Sequence, residues 1–332
     1  MQVGSQTRRA MMGWSAAAGG TLLTAPGWAF GQEAAPPILS PVLPEVLAEL
    51  ADEDQPPTTV DTNSSNVFDH VTAPVMINGR GPFRFMVDTG ANTSCVSQGL
   101  AETLALPRGR ALRVHTVVGP RSRASVNIDR LDIGSRTRRN IEAPVLPMAG
   151  FGIDGVLGID WLKGQRLVLG FAGKTLEITK SRREASAEGK VVVPARRKSG
   201  QLTIVDADLS GRKISAMIDS GSQFSLGNTA LRRIIERMDP KAASKAQKVG
   251  LLSIAGEAFT GEQLNLPFMR LGGLTLGNVP VVFSDVPVFR LWDLHDTPTM
   301  MLGIDLLTQF TTVSLDFGRS SVRFDIADSA RA

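Results

Sequence analysis

Short apolar segments, separated by turn residues, dominate this 332-residue chain. Such a pattern is typical of β-strands that bury one or both faces. Within the two halves of the chain, a helix is predicted over Thr229–Met238. The charged, small-residue segment from 180 to 189 divides the chain into two halves. The pattern therefore predicts an all-β protein in which each half forms a small closed barrel.

Two of the predicted strands end in the same acidic signature. The first leads from Phe83 into Val87-Asp88-Thr89-Gly90-Ala91, and the second leads from Lys213 into Ile218-Asp219-Ser220-Gly221-Ser222. Each signature places a carboxylate at the end of a strand, just before a glycine that permits a sharp turn. One Asp-Thr-Gly triplet alone is weak evidence, because these residues are common in ordinary turns.

The sequence around the two signatures repeats in the same order. Asn78-Gly79 and Ser210-Gly211 precede the two acidic strands and are typical of hairpin turns. Further matching pairs follow downstream: Val117-Val118-Gly119-Pro120 with Ile254-Ala255-Gly256-Glu257, Leu131-Asp132-Ile133-Gly134 with Leu274-Thr275-Leu276-Gly277, and Leu157-Gly158 with Leu302-Gly303. Because these matching segments occur in the same order in both halves, they indicate an internal duplication. Such a duplication would let the two carboxylates meet across a two-fold axis.

The ordered set resembles the aspartic peptidases, the pepsin and retropepsin superfamily, over about residues 58 to 330. The form it resembles is a bacterial, exported single chain with two retropepsin-like repeats. The resemblance implies an all-β fold of two pseudo-two-fold-related β-barrel domains, with few short helices and a cleft between the domains. It also implies that Asp88 and Asp219 form the catalytic pair.

The same resemblance implies roles for the neighbouring residues. Thr89 and Ser220 would brace the two loops, and Gly90 and Gly221 would allow their close approach. The segments that pack beneath the loops would contain Leu157, Gly158, Leu302 and Gly303.

The chemistry of two adjacent carboxyl groups accounts for the residue types. Amide hydrolysis requires an activated water and a proton or hydrogen bond for the carbonyl oxygen, and a pair of carboxyls sharing one proton supplies both. Like charges at short range raise one pKa and lower the other. The reaction therefore needs no metal and no organic cofactor, and which aspartate is the base stays open.

Val118, Gly119, Ala255 and Gly256 are candidates for mobile hairpins, or flaps, over the cleft. Ordinary surface hairpins are an equally good interpretation. The chain contains no tyrosine, so the flap tyrosine of pepsin-like enzymes is missing and the resemblance shifts toward the retropepsins. Asp160 and Asp305 each precede a short apolar run, which predicts that they are helix N-caps and not catalytic groups.

The N-terminal region is predicted to lie outside the fold. Residues 1–31 contain Arg8-Arg9 and a weakly apolar segment, which resembles a Tat export signal, although a Sec signal also fits and a disordered basic tail is the alternative. Residues 32–59 are rich in proline and alanine and are predicted to be a spacer that includes a short helical pattern at Val42–Leu50. The first repeat is assigned to residues 60–182 and the second to 183–332. We expect a periplasmic or secreted protein without a transmembrane segment.

Several other functional classes find no support. The net charge is +4, from scattered arginines, and no basic and aromatic interleaving suggests nucleic-acid binding. Gly150–Gly155 matches a dinucleotide fingerprint, but the corresponding part of the second repeat contains no glycine. The three histidines lack a second ligand type at metal spacing. Cys95 stands alone, so it forms no intrachain disulfide and is expected to be a buried, inert thiol.

The leading hypothesis is an aspartic endopeptidase that hydrolyses an extended polypeptide in the cleft. A second hypothesis is a scaffold that binds a peptide or envelope polymer on the same fold without cleaving it. Pairing of two chains to form the site is a third, disfavoured because the duplication already supplies both halves. We therefore expect a monomer that is an intramolecular pseudo-dimer.

Overall fold

The computed structural model describes residues 38–41, 58–61, 71–148, 150–198, 200–204, 206–243 and 245–326. The predicted signal and the helical pattern at Val42–Leu50 lie outside the described residues. The strands are β1 (Ile38–Pro41), β2 (Thr58–Asp61), β3 (Thr72–Ile77), β4 (Arg80–Val87), β5 (Cys95–Ser97), β6 (Leu112–Thr116), β7 (Gly119–Arg123), β8 (Ser125–Ile133), β9 (Arg136–Leu146), β10 (Gly155–Leu157), β11 (Gln165–Gly170), β12 (Thr175–Lys180), β13 (Lys190–Lys198), β14 (Gln201–Ile204), β15 (Ala207–Leu209), β16 (Arg212–Lys213), β17 (Ser215–Ile218), β18 (Leu226–Gly227), β19 (Gln247–Leu252), β20 (Ala258–Leu271), β21 (Leu274–Phe283), β22 (Thr299–Leu302), β23 (Thr312–Asp316) and β24 (Ser321–Asp325).

Helices are short and few among the described residues, as the sequence pattern predicted. They are α1 (Gln98–Thr103), a 3₁₀ helix (Ile159–Trp161), α2 (Thr229–Met238), α3 (Pro240–Ala243), α4 (Val288–Leu291) and α5 (Ile304–Leu307). The predicted helix at Thr229–Met238 is confirmed with the same bounds. Its first turn is capped by the side chain of Asn228, which accepts a hydrogen bond from Leu231 N.

The first repeat is a closed barrel of six strands in the order β10, β4, β3, β8, β9 and β5. Most neighbouring strands are antiparallel, but β10 runs parallel to β4 and pairs Leu157 with Val87. Alternate residues of β3 are buried, with Val75 and Ile77 fully inside. Burial of one face of each strand explains why the apolar pattern has a period of two.

The second repeat uses the same pairing order. Strand β22 runs parallel to β17 and pairs Leu302 with Ile218, and it is antiparallel to β18, which in turn runs parallel to β21. Strands β21, β20, β15 and β16 then continue as antiparallel neighbours. Only Ile214 separates β16 from β17, so the chain itself brings the two ends of this barrel together. The prediction of a mostly β fold with two barrels is confirmed.

The two repeats share one continuous sheet. Strands β13, β24, β23, β11, β12 and β2 lie side by side, and Leu167 of the first repeat pairs with Leu315 of the second. Both leucines are buried in the main apolar core. At the junction between repeats, Glu184 accepts hydrogen bonds from Arg166 and Arg323, which ties the connecting segment to this sheet.

Two turns repeat the same backbone geometry ahead of the acidic strands. Asn78 and Gly79 have φ values of 51° and 76°, and Ser210 and Gly211 have values of 52° and 78°. Two successive residues in the left-handed region are the feature of tight hairpin turns that match the twist of the strands. The predicted hairpin turns are confirmed, and each directs its strand to an aspartate.

Strand β1 lies in the region predicted to be a spacer, and β2 begins at the end of that region. Strand β1 pairs with β6, and β2 pairs with β12. None of the helices among the described residues is long and apolar enough to cross a membrane.

Candidate active site

The two acidic signatures form a pair of loops that face each other between the repeats. Strand β4 ends at Val87 and β17 ends at Ile218, one residue before each aspartate. Asp88 N donates to Leu157 O at 2.9 Å, and Asp219 N donates to Leu302 O at 3.0 Å. The parallel strands beneath therefore set the position of both loops, as expected for the Leu-Gly segments.

Thr89 and Ser220 link the two loops by reciprocal hydrogen bonds. Thr89 Oγ1 donates to Ile218 O at 2.9 Å and accepts from Ser220 N at 3.0 Å. Ser220 Oγ donates to Val87 O at 2.7 Å and accepts from Thr89 N at 3.2 Å. Both side chains are buried, so these bonds are shielded from water. Four buried hydrogen bonds therefore join the two loops.

Backbone amides of each loop bind the carboxylate of the same loop. Asp88 Oδ1 accepts from Gly90 N at 2.8 Å and from Ala91 N at 3.0 Å. Asp219 Oδ1 accepts from Gly221 N at 3.0 Å. Amide donors of this kind stabilise the ionised form of a carboxylate.

The two carboxyl groups approach closely because Gly221 has no side chain. A Cβ atom built on Gly221 would lie 2.2 Å from Asp88 Cγ and 2.5 Å from each of its oxygens. Asp88 therefore packs directly over the opposite loop. Both aspartates are only 1% exposed.

Close approach and burial perturb the ionisation of the pair. Burial raises the pKa of Asp219 well above its usual value, and the charge of Asp88 and a hydrogen bond to its side chain raise that pKa further. Backbone hydrogen bonds from Gly221 and Ser222 act in the opposite direction. Two carboxyl groups in such contact hold one proton between them over a wide pH range, so one is an acid while the other is a base.

The Leu-Gly segments also need glycine for close packing. A Cβ atom on Gly158 would lie 2.8 Å from Ala91 O, and one on Gly303 would lie 2.6 Å from Phe224 O. Both distances are too short for a methyl group, so the backbone of each segment touches its acidic loop directly.

Two protein-family models match this chain, one in each repeat. Residues 73–164 match the gag-polyprotein putative aspartyl protease family, and residues 205–306 match the aspartyl protease family. The two matches together span more than half of the chain, and each contains one acidic signature. The chain contains two retropepsin-like aspartyl protease domains. A comparison with curated proteins gives no match.

Both protease repeats therefore lie in one chain, which is the arrangement of an intramolecular pseudo-dimer. Among the described residues, no group of three or more His, Cys, Asp or Glu side chains is arranged to hold a metal ion.

Asp160 and Asp305 occupy equivalent positions in the two protease repeats, but neither is a helix N-cap. The cap positions are Gly158 and Gly303, and each aspartate is the second residue inside its helix. The N-cap prediction is therefore wrong, because the chain enters each helix at the tightly packed glycine.

The side chains of these two aspartates reach back to the acidic loops. Asp160 accepts from Ser94 Oγ at 2.8 Å, and Asp305 accepts from Ser225 Oγ at 2.7 Å. Asp160 also forms an ion pair with Arg138 at 2.9 Å. Burial raises the pKa of Asp305 to about 6, although its hydrogen bonds to Ser225 act against that rise.

The two candidate flaps are hairpins whose tips contact the opposite repeats. Strands β6 and β7 form the first hairpin, with Val118 and Gly119 at its tip, and β19 and β20 form the second, with Ala255 and Gly256 at its tip. A Cβ atom on Gly119 would lie 3.9 Å from Pro287 of the second repeat, and one on Gly256 would lie 3.7 Å from Pro147 of the first. Each tip thus lies against the opposite repeat, unlike an ordinary exposed turn.

Two residues near the site were missed by the sequence analysis. Gln201 Nε2, from the second repeat, donates to Gly90 O and to Asn92 Oδ1, both at 2.9 Å. Glu257 follows the second hairpin tip and binds the first hairpin. The sequence contains one signal for Glu257: it stands at the position where the first repeat has a proline, Pro120.

Cys95 is buried, as predicted. Burial raises the pKa of its thiol well above the ordinary value, and the charges of Asp88 and Asp160 raise it further. A thiol that resists ionisation is a poor nucleophile, so Cys95 acts as a small apolar residue behind the first loop.

Proposed function

We propose that this protein is an aspartic endopeptidase that hydrolyses extended polypeptides, with Asp88 and Asp219 as the catalytic pair. The observation that carries this proposal is the close approach of two buried carboxyl groups across the loops. Burial, and then the charge of Asp88, raise the pKa of Asp219, which supports an acid beside a base. The presence of two retropepsin-like aspartyl protease domains also supports the proposal.

In the proposed reaction, a water molecule lies between the two carboxyl groups. The ionised carboxylate takes a proton from the water as its oxygen attacks the peptide carbonyl carbon, and the neutral carboxyl gives its proton to the carbonyl oxygen. The resulting neutral diol then collapses. The C–N bond breaks, the nitrogen receives the proton that came from water, and a diol hydroxyl returns its proton to the other carboxylate.

The loop geometry suits these proton transfers. Amide donors from Gly90, Ala91 and Gly221 hold one oxygen of each aspartate. The reciprocal bonds of Thr89 and Ser220 keep the two loops in a fixed relation. Because the pair is placed before substrate binds, little reorganisation is needed during the reaction. The pair supplies both acid and base, so the mechanism requires no metal ion.

The test is cleavage of a diverse peptide library by the purified mature chain over a series of pH values. Asp88→Asn and Asp219→Asn should each reduce cleavage by at least about 10³-fold, and the double variant should lose little more, because the two residues act as one unit. Asp285→Asn is the matched control, since Asp285 is exposed and pairs with the exposed Arg290. A chelator should leave the rate unchanged.

Absence of cleavage by the parent chain at every pH would overturn the catalytic proposal. The alternative, a scaffold that binds peptide or envelope polymer without cleaving it, would then be the better account. The near-complete burial of both aspartates is the observation that keeps this alternative in view. Binding of library peptides without cleavage would support it.

We also propose that the chain is exported and acts as a monomer in the periplasm or outside the cell. The paired arginines Arg8 and Arg9, followed by a weakly apolar segment, support export through a Tat-like route. Replacing both arginines with lysine should retain the protein in the cytoplasm, as measured by cell fractionation. Light scattering of the mature protein should give the mass of one chain.

A further inference from the structure

The two hairpin tips pack beside the strands and loops that carry the catalytic pair. Val117, at the first tip, is buried in an apolar cluster of the second repeat that includes Met217 and Leu226. Ile254, at the second tip, is buried in a cluster of the first repeat that includes Met86 and Ala91, which flank Asp88. Each aspartate is only 1% exposed, so a polypeptide reaches the pair only after neighbouring groups move.

One side chain makes most of the polar contacts between the hairpins. Glu257 Oε2 accepts from Thr116 Oγ1 at 2.7 Å, and Glu257 Oε1 lies 2.6 Å from Arg121 Nε and 3.8 Å from Arg123 Nη2. Arg123 Nη2 also donates to Ala255 O at 3.3 Å. The side chain of Glu257 is 15% exposed, so water shields these charges only in part.

The turn at the second tip holds Glu257 in position. Ser253 Oγ accepts from Ala255 N at 3.1 Å and from Glu257 N at 3.2 Å, and Ser253 N donates to Glu257 O at 2.8 Å. Gly256 takes the left-handed conformation, with φ of 80°, that closes this turn. The carboxylate is therefore presented by a compact turn, and fewer conformations are lost when it binds the arginines.

These contacts are asymmetric between the repeats. The position equivalent to Glu257 in the first repeat is Pro120, which has no charge. Arg121 and Arg123 are two residues apart on β7 and therefore lie on the same face of that strand. Because the two hairpins belong to different repeats of one chain, one can carry the glutamate and the other the arginines. In a dimer of identical chains, every hairpin would have to carry both the glutamate and the arginines.

We propose that Glu257 is a positioning residue that holds the two hairpins together over the catalytic pair and limits the entry of polypeptide. The part of this proposal that concerns entry rests on the proposed function, whereas the contact between the hairpins does not. Separation of the hairpins must break the bonds of Glu257 to Thr116, Arg121 and Arg123 as well as withdraw the apolar tips.

Hydrogen–deuterium exchange of the full chain tests the contact without any need for activity. Glu257→Ala and Arg121→Ala should each speed exchange in residues 112–123 and 247–260 by about fivefold to tenfold, because charge-assisted bonds in a partly shielded site are lost. Exchange in β23 should stay unchanged. Glu262→Ala is the matched control, since Glu262 lies on the same strand, β20, and pairs with Arg232 within its own repeat at 3.1 Å.

The double variant separates a specific contact from general loosening. If Glu257 and Arg121 act together, Glu257→Ala with Arg121→Ala should exchange less rapidly than the product of the two single effects predicts. Unchanged exchange in both single variants, or an effect equal to that of Glu262→Ala, would overturn the proposal.

The entry step is tested by kcat/KM for a peptide that the parent cleaves. We expect Glu257→Ala to raise kcat/KM by about fivefold, in parallel with the exchange rate. An unchanged or lower kcat/KM together with faster exchange would refute the role in entry. If the parent cleaves no peptide, the proposed function fails, and the exchange results still decide whether Glu257 holds the hairpins together.

Discussion

Substitution of Gly221 by alanine tests the idea that close contact between the loops creates the acid and base pair. The added Cβ atom would lie 2.2 Å from Asp88 Cγ, whereas ordinary carbon contacts are about 3.5–4.0 Å. Asp88 would therefore have to move by more than about 1 Å, or the loops would have to separate. Gly221 does not have a positive φ, so the effect is steric and not a backbone strain.

The size of the effect follows from this overlap. Overpacking of a buried site costs about 1–3 kcal/mol of folding free energy. Displacement of a catalytic group by about 1 Å reduces the rate by about 10²-fold. We therefore expect Gly221→Ala to fold with a slightly lower melting temperature and to lose at least about 10²-fold in kcat/KM.

The pH dependence of kcat/KM provides a second, independent test of Gly221→Ala. Asp88 raises the pKa of Asp219 through its charge and a hydrogen bond. Moving Asp88 away would lower that pKa, so the acid form would be lost earlier as pH rises. The alkaline limb of the kcat/KM profile should therefore shift to lower pH in Gly221→Ala, as measured with a fluorogenic peptide.

The control is Gly250→Ala in β19, where an added Cβ atom meets nothing within 4 Å. It should retain the activity and pH profile of the parent. Activity of Gly221→Ala within about threefold of the parent, with an unshifted alkaline limb, would refute the close-contact argument, since the predicted loss is much larger.

Three further predictions concern residues around the pair. Thr89→Val and Ser220→Ala should each lower the free energy of unfolding by about 1–3 kcal/mol in denaturant titrations, because each leaves buried backbone groups of the opposite loop unpaired. Asp305 has a folded pKa of about 6 against a usual value of 3.8, so its contribution to stability is complete below about pH 4 and is lost as pH rises through 6. Asp305→Asn should therefore gain about 1–3 kcal/mol relative to the parent between pH 4 and pH 7, and a constant difference would contradict this. Ser222 Oγ donates to Phe224 O at 2.7 Å, so Ser222→Ala should leave the pH profile of cleavage unchanged, and a shifted acid limb would show that the hydroxyl acts on the aspartates.

Features that depend on local sequence were predictable. The apolar strands that end at Asp88 and Asp219, the paired hairpin turns and the helix Thr229–Met238 each follow from residue order within a short window. The internal duplication extended this reach, because it predicted that the two acidic loops would meet across a pseudo-two-fold axis. The bracing roles of Thr89 and Ser220 were implied by the family resemblance.

Features that depend on differences between the repeats were not predictable. Asp160 and Asp305 have similar surroundings in the sequence, yet only Asp160 has an arginine, Arg138, as an ion-pair partner. The same local pattern therefore leads to a carboxylate paired with a cation in one repeat and a buried group with a raised pKa in the other. The N-cap prediction failed for a different reason, which is the same in both repeats: tight packing of Gly158 and Gly303 sets where each helix begins.

The amino-acid sequence by itself determined the strands, the two acidic loops, the duplication and the family, because these depend on side-chain periodicity and on motifs read within each repeat. Only the tertiary structure decided how the hairpin tips cross into the opposite repeats and how Glu257 meets Thr116 and Arg121 over more than a hundred residues of chain. Such contacts arise when two folded repeats pack together, since burial and distance between charges then decide which groups pair.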